Sequence, residues 1–112
     1  MSFADLDDAR RHHGALLEIF LHHPGGWADR ASLNKIVELC RAAGAAVDDA
    51  QCAEQVKIVV AGATDLFSEQ AHKKWARSNV SGADFLRLEI MRALHSFSRR
   101  LSEMEAARRL GS

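Results

Sequence analysis

The sequence is poor in residues that interrupt helices or favour strands. Proline occurs once in 112 residues and tyrosine is absent, while Ala, Leu, Glu and Arg are abundant. Proline breaks helices, and aromatic and β-branched residues are the ones enriched in strands. The composition therefore predicts an all-α protein.

Cysteines and long apolar runs are also scarce. The two cysteines, Cys40 and Cys52, are too few for a disulfide framework and cannot complete a zinc site by themselves, so we expect reduced thiols. No stretch approaches the roughly eighteen consecutive apolar residues that a membrane-spanning helix requires, and the N-terminus has no signal-peptide pattern. We expect a cytoplasmic protein without a membrane partner.

The chain has no net charge, because fifteen Lys and Arg balance fifteen Asp and Glu. Without a long-range positive field, a nucleic-acid partner is not expected. The charges are unevenly distributed, since residues 1–56 carry five basic and nine acidic side chains and residues 57–112 carry ten and six. The two halves are expected to attract each other, within one chain or between two.

The first half of the chain contains two segments with helical periodicity. Helix 1 is predicted over residues 3–22, with Ser2 and Asp5 forming a capping box at its start. Helix 2 is predicted to begin after Asp29 as N-cap and to end at Gly44 as the residue that follows the C-cap.

The second half continues the pattern. Asp48 is expected to cap helix 3, which breaks near Ser68 and is followed by a short helical piece over residues 69–78. Helix 4, residues 82–109, is the longest element. Its main apolar residues repeat at four- and three-residue spacing, which predicts a bundle seam of Ile90, Leu94, Phe97, Leu101 and Met104. Ion pairs between residues four apart are expected beside this seam, namely Arg99/Glu103 and Glu105/Arg109. Four helices joined by short turns predict an antiparallel four-helix bundle that makes up a single domain, residues 1–112.

Six histidines raise the question of metal or phosphoryl chemistry. No two of them are three or four residues apart, the spacing that places two ligands on one helix face, so we expect neither a metal nor another cofactor. The stretch FLHHPGGW, residues 20–27, is interpreted as a helix terminus where His22 complements the helix dipole. His13 differs, because it lies within the apolar arc of helix 1 and is predicted to be a buried polar residue that donates one hydrogen bond.

A histidine phosphotransfer-like signalling bundle is the alternative function, with His72 as phosphoacceptor. In those domains Lys and Gly follow the histidine at three and four residues, whereas AHKKWARSN places Trp75 and Ala76 there. This alternative therefore depends on chain length and fold class, which is analogy.

No nucleophile, phosphate-binding or zinc-protease motif occurs, so we expect a protein that is not an enzyme. Helix 4 carries more apolar surface than a monomeric bundle needs, and uncovered apolar surface usually marks an interface. We predict a small interaction or adaptor module that forms a homodimer through helix 4 and binds an unidentified protein partner. The predicted interface consists of Leu88, Met91, His95, Leu101, Met104 and Leu110.

Overall fold

The computed structural model describes residues 2–23, 28–67 and 80–111 of the chain. These residues form four helices, which are α1 (Phe3–His22), α2 (Arg30–Ala46), α3 (Ala50–Phe67) and α4 (Val80–Leu110). The described ranges contain no strand, which confirms the all-α prediction. The predicted break near Ser68 and the helical piece over residues 69–78 lie outside the described residues.

Helix α1 has the predicted bounds because its first turn is capped from both directions. The Ser2 hydroxyl accepts a hydrogen bond from the Asp5 N–H at 3.1 Å, and the Asp5 carboxylate accepts one from the Ser2 N–H at 2.9 Å. Two of the N–H groups at this end of the helix are thereby satisfied. The capping box is confirmed, and α1 ends at His22 as expected.

Helix α2 begins as predicted but ends later. The Asp29 carboxylate caps it by accepting the Ser32 N–H at 3.0 Å. The prediction that Gly44 ends the helix is wrong, because α2 continues to Ala46 and delivers Val47 into the core. Burial of an apolar side chain just beyond the helix outweighs the weak helix propensity of a glycine.

Helix α3 is capped by Asp49, one residue later than the predicted Asp48. The Asp49 carboxylate accepts the N–H of Cys52 at 3.0 Å, while Asp48 is exposed. Asp49 is also held by Arg100 of α4, with the closest oxygen 2.9 Å from the guanidinium. A contact from a distant part of the chain therefore decides which of two adjacent aspartates caps the helix.

The four helices pack in a ring. Helix α1 contacts α2 and α4, and α3 contacts the same two helices, which is consistent with a four-helix bundle. Arg10 near the start of α1 pairs with Glu105 near the end of α4. At the other end of α1, a guanidinium nitrogen of Arg87 donates to the Phe20 carbonyl at 3.1 Å.

The core consists of two clusters along the bundle. The first is centred on Phe20, Phe67 and Ile90, and the second contains Leu6, Phe97 and neighbouring side chains. Helix α4 supplies both clusters with a seam at four- and three-residue spacing, which confirms the seam predicted from the sequence. Its buried members are Ile90, Leu94, Phe97 and Leu101.

Among the described residues, no helix combines the length and the apolar character required to cross a bilayer.

Candidate functional site

The N-terminal half of α4 carries exposed apolar side chains away from the core seam. Phe85 is 59% exposed and Leu88 is 47% exposed, Met91 is half-buried and His95 is exposed. Successive members are three or four residues apart, so they share one side of the helix. We call these four residues the α4 strip. The sequence predicted three of them and missed Phe85, whose position three residues before Leu88 was the available signal.

The C-terminal part of the predicted interface requires a correction. Leu101 is fully buried and belongs to the second core cluster, against which Met104 also packs. Both side chains pack in the core because the start of α1, with Leu6 and Ala9, reaches this end of α4. The assignment of Leu101 to the predicted interface is therefore wrong. Leu110, which is 89% exposed, remains on the surface.

Two groups of polar contacts fasten the C-terminal half of α4 to its neighbours. Arg10 of α1 pairs with Glu105 and donates to the Ser102 hydroxyl at 2.7 Å. On the other side, Arg100 binds both oxygens of Asp49. The Arg100 guanidinium lowers the pKa of the Asp49 carboxyl to about 2, because it stabilises the ionised form. These ion pairs hold α4 in a fixed orientation relative to α1 and α3.

His13 lies half-buried between α1 and α4. Its Nε2 donates to the Leu94 carbonyl at 2.9 Å, and its ring stacks on Phe97 with ring centroids 6.1 Å apart. Burial lowers the pKa of His13, and the nearby Arg10 and His95 lower it further, against the opposing effect of the Leu94 bond. The single hydrogen bond has the form predicted from the sequence. The prediction that His13 is buried is wrong, because its side chain is only half-buried.

A groove of about 310 Å³ runs beside His13 between α1 and α4. Met91 and His95 of the α4 strip line it on one side, four residues apart, and His13 lines it from α1. Two imidazoles and a thioether therefore meet in one groove. No spacing in the sequence could reveal this group, because His13 is separated from the other two by most of the chain. The remaining lining residues are Leu17, Leu94 and Ser98.

His22 at the end of α1 and His23 just after it have separate partners. His22 pairs with Glu18 at 2.9 Å on the exposed side of the helix. His23 contacts the Asp29 carboxylate at 2.7 Å, and its ring meets Phe67 edge-on. In the ranges that the structure describes, no three His, Cys, Asp or Glu side chains are grouped closely enough to hold a metal ion. His72 lies outside those ranges.

The two cysteines are free and buried. Burial raises the pKa of the Cys40 thiol and of the Cys52 thiol, each to about 12. A thiol is nucleophilic as its thiolate, and at neutral pH both side chains remain in the weakly nucleophilic protonated form. Cys40 packs in the first core cluster and Cys52 in the second.

Comparisons with known proteins were made at the level of families, individual sequences and folds. No protein family, curated protein or solved structure matches the chain.

Proposed function

We propose that the chain is a small, non-enzymatic helical protein that self-associates into a homodimer through the α4 strip. The exposure of Phe85 and Leu88 on one side of an otherwise well-packed helix carries this proposal. Exposure of a contiguous apolar patch to water is unfavourable, and association with a partner surface lowers the free energy by removing this patch from water.

The α4 strip lies on a helix that polar contacts attach to α1 near both of its ends. These contacts support a surface that is already ordered before a partner binds. Arg10 with Glu105 and Arg87 with the Phe20 carbonyl bring opposite ends of α1 and α4 together. Those contacts support an antiparallel order of the helices in the bundle. A surface that needs no reordering loses less conformational entropy on association.

A second copy of the chain is the proposed partner, because the charges along α4 are self-complementary. Asp84 and Arg99 are exposed, and neither makes a hydrogen bond or an ion pair with another described residue. Positions 84 and 99 are symmetric about the same point of the helix as positions 88 and 95, between residues 91 and 92. An antiparallel pair of α4 helices therefore places Asp84 opposite Arg99 of the second copy and Leu88 opposite its His95.

The test is to place a charge in the centre of the strip. We expect the Leu88→Glu variant to be monomeric at protein concentrations where the unmodified chain is dimeric, because a carboxylate would be desolvated in the apolar contact. Light scattering coupled to size-exclusion chromatography measures the mass, and circular dichroism checks that the helices are retained.

Leu110→Glu is the matched control. It introduces the same charge at an exposed leucine of α4, 22 residues away or about 33 Å along the helix, and is expected to leave the dimer intact. A monomer for the unmodified chain across the micromolar range would refute self-association. Dissociation by Leu110→Glu alone would move the interface to the end of α4.

A further inference from the structure

The groove between α1 and α4 contains three side chains that can donate electron pairs to a metal ion. His13 comes from α1, and Met91 and His95 come from adjacent turns of α4. The spacing of four residues is the one by which a helix presents two ligands to a single ion.

The hydrogen bond of His13 prepares its ring for coordination. Nε2 is 2.9 Å from the Leu94 carbonyl, and a carbonyl only accepts, so Nε2 carries the proton of the neutral ring. A histidine bound to a metal usually donates its second ring N–H in this way, which fixes the tautomer and the orientation. Stacking on Phe97 further restricts the orientation of the His13 ring.

The other ring nitrogen of His13 is available. Nδ1 then has a free lone pair, and it makes no hydrogen bond within the described protein. No described side-chain nitrogen or oxygen is both buried and without a partner, so Nδ1 is reached from the solvent side.

We propose that His13, Met91 and His95 form a binding site for one copper(I) ion. Imidazole binds copper, zinc and nickel, but a thioether selects soft ions such as copper(I). A harder divalent ion finds only two imidazoles in this groove, because the described side chains offer no group of three His, Cys, Asp or Glu. Arg10, a cation whose charge acts on His13, is paired with Glu105, and the single positive charge of copper(I) minimises the remaining repulsion.

Competition with the coloured copper(I) complex of bicinchoninate tests the site, in the presence of ascorbate and without oxygen. We expect the protein to withdraw one copper(I) per chain. Met91→Leu, which preserves apolar volume, and His95→Gln, at an exposed position, are each expected to weaken binding by at least about tenfold, since each removes a ligand. Met104→Leu is the matched control and is expected to bind as the unmodified chain does.

Nuclear magnetic resonance supplies a second readout. The chain has three methionines, and only the methyl signal of Met91 is expected to shift on addition of copper(I), together with the ring signals of His13 and His95. Binding that survives both Met91→Leu and His95→Gln would overturn the proposal, and so would shifts confined to the rings of His22 and His23.

The copper site does not require self-association, although Met91 and His95 also belong to the α4 strip. Mass measurements on the same samples separate the two proposals. A monomer that binds one copper(I) refutes the dimer alone. A dimer whose Met91→Leu variant retains its affinity for copper(I) refutes the metal site alone.

Discussion

At the scale of single residues, two glycines inside helices have opposite surroundings. Gly62 of α3 lies directly against α4, since a Cβ atom at that position would lie 2.6 Å from Cγ1 of Ile90. Ile90 is completely buried and has little freedom to move. Gly14 of α1 is exposed, and a Cβ there would meet nothing within 4 Å. The first glycine permits helix packing, whereas the second only weakens its helix.

Alanine substitutions at these positions are therefore expected to change stability in opposite directions. Gly62→Ala is expected to lower the free energy of unfolding by about 1–3 kcal/mol, because overpacking outweighs the gain in helix propensity. Gly14→Ala is expected to raise it by about 0.5–1 kcal/mol. Urea denaturation measures both values. If Gly62→Ala proved as stabilising as Gly14→Ala, the close approach of α3 and α4 would be wrong.

At the scale of elements, the position of α4 depends on polar contacts as well as on its apolar seam. Asp49 caps α3 through the Cys52 N–H and also binds Arg100 of α4. One carboxylate therefore both starts a helix and attaches it to its neighbour. The Asp49 side chain is only 12% exposed, so solvent screens this ion pair less than a surface pair.

The Asp49–Arg100 pair predicts a loss of stability in acid. In the unfolded chain Asp49 takes up a proton near its ordinary pKa of 3.8, whereas in the folded protein it does so only at about pH 2. Between these values the unfolded state binds more protons, so stability falls as the pH falls. The shift corresponds to about 2 kcal/mol, and the stabilisation is complete above about pH 4 to 5.

Asp49→Asn is expected to abolish this part of the acid loss. The difference in unfolding free energy between the unmodified chain and this variant, measured by urea denaturation, is expected to shrink by about 2 kcal/mol between pH 5 and pH 2. Asp48→Asn removes the adjacent exposed carboxylate, preserves the pair and is expected to retain the loss. A constant difference for Asp49→Asn would show that Arg100 does not stabilise the carboxylate.

At the scale of the whole molecule, charge connects the fold to the proposed dimer. The acidic first half and the basic second half meet inside the chain where Asp49 binds Arg100. The Arg99/Glu103 pair predicted along helix 4 is replaced by a pair between Glu103 and Arg100. Glu105 of the same helix pairs with Arg10 of α1. Asp84 and Arg99 remain exposed at equal distances from the midpoint between Leu88 and His95.

A charge-swap experiment tests the proposed pairing of two copies. Asp84→Lys and Arg99→Glu are each expected to weaken the dimer, and the double variant is expected to restore it, because the opposite charges then face each other again. The two positions are 15 residues apart, or about 22 Å along one helix, so rescue cannot arise within one chain. Sedimentation equilibrium measures the association. Additive weakening in the double variant would contradict the antiparallel pairing.

Local features of the chain were sufficient to predict the helical fold class, the bounds of α1, the caps at Ser2 and Asp29 and the buried seam of α4. These properties depend on side chains within about one or two turns of each other, where helical periodicity and capping chemistry act. The exact end of α2 and the cap of α3 could not be predicted from local features, because burial of Val47 and the pairing of Asp49 with Arg100 are long-range contacts.

The same distinction between local features and long-range contacts applies to the candidate sites. Periodicity along α4 was enough to identify Leu88, Met91 and His95 on one side of the helix, but it could not show that the start of α1 covers Leu101. Only the tertiary structure brings His13 to Met91 and His95. The sequence determined which face each helix offers, because that depends on spacing within one helix. The tertiary structure decided which faces stay exposed and which side chains meet, because both depend on how different helices pack against each other.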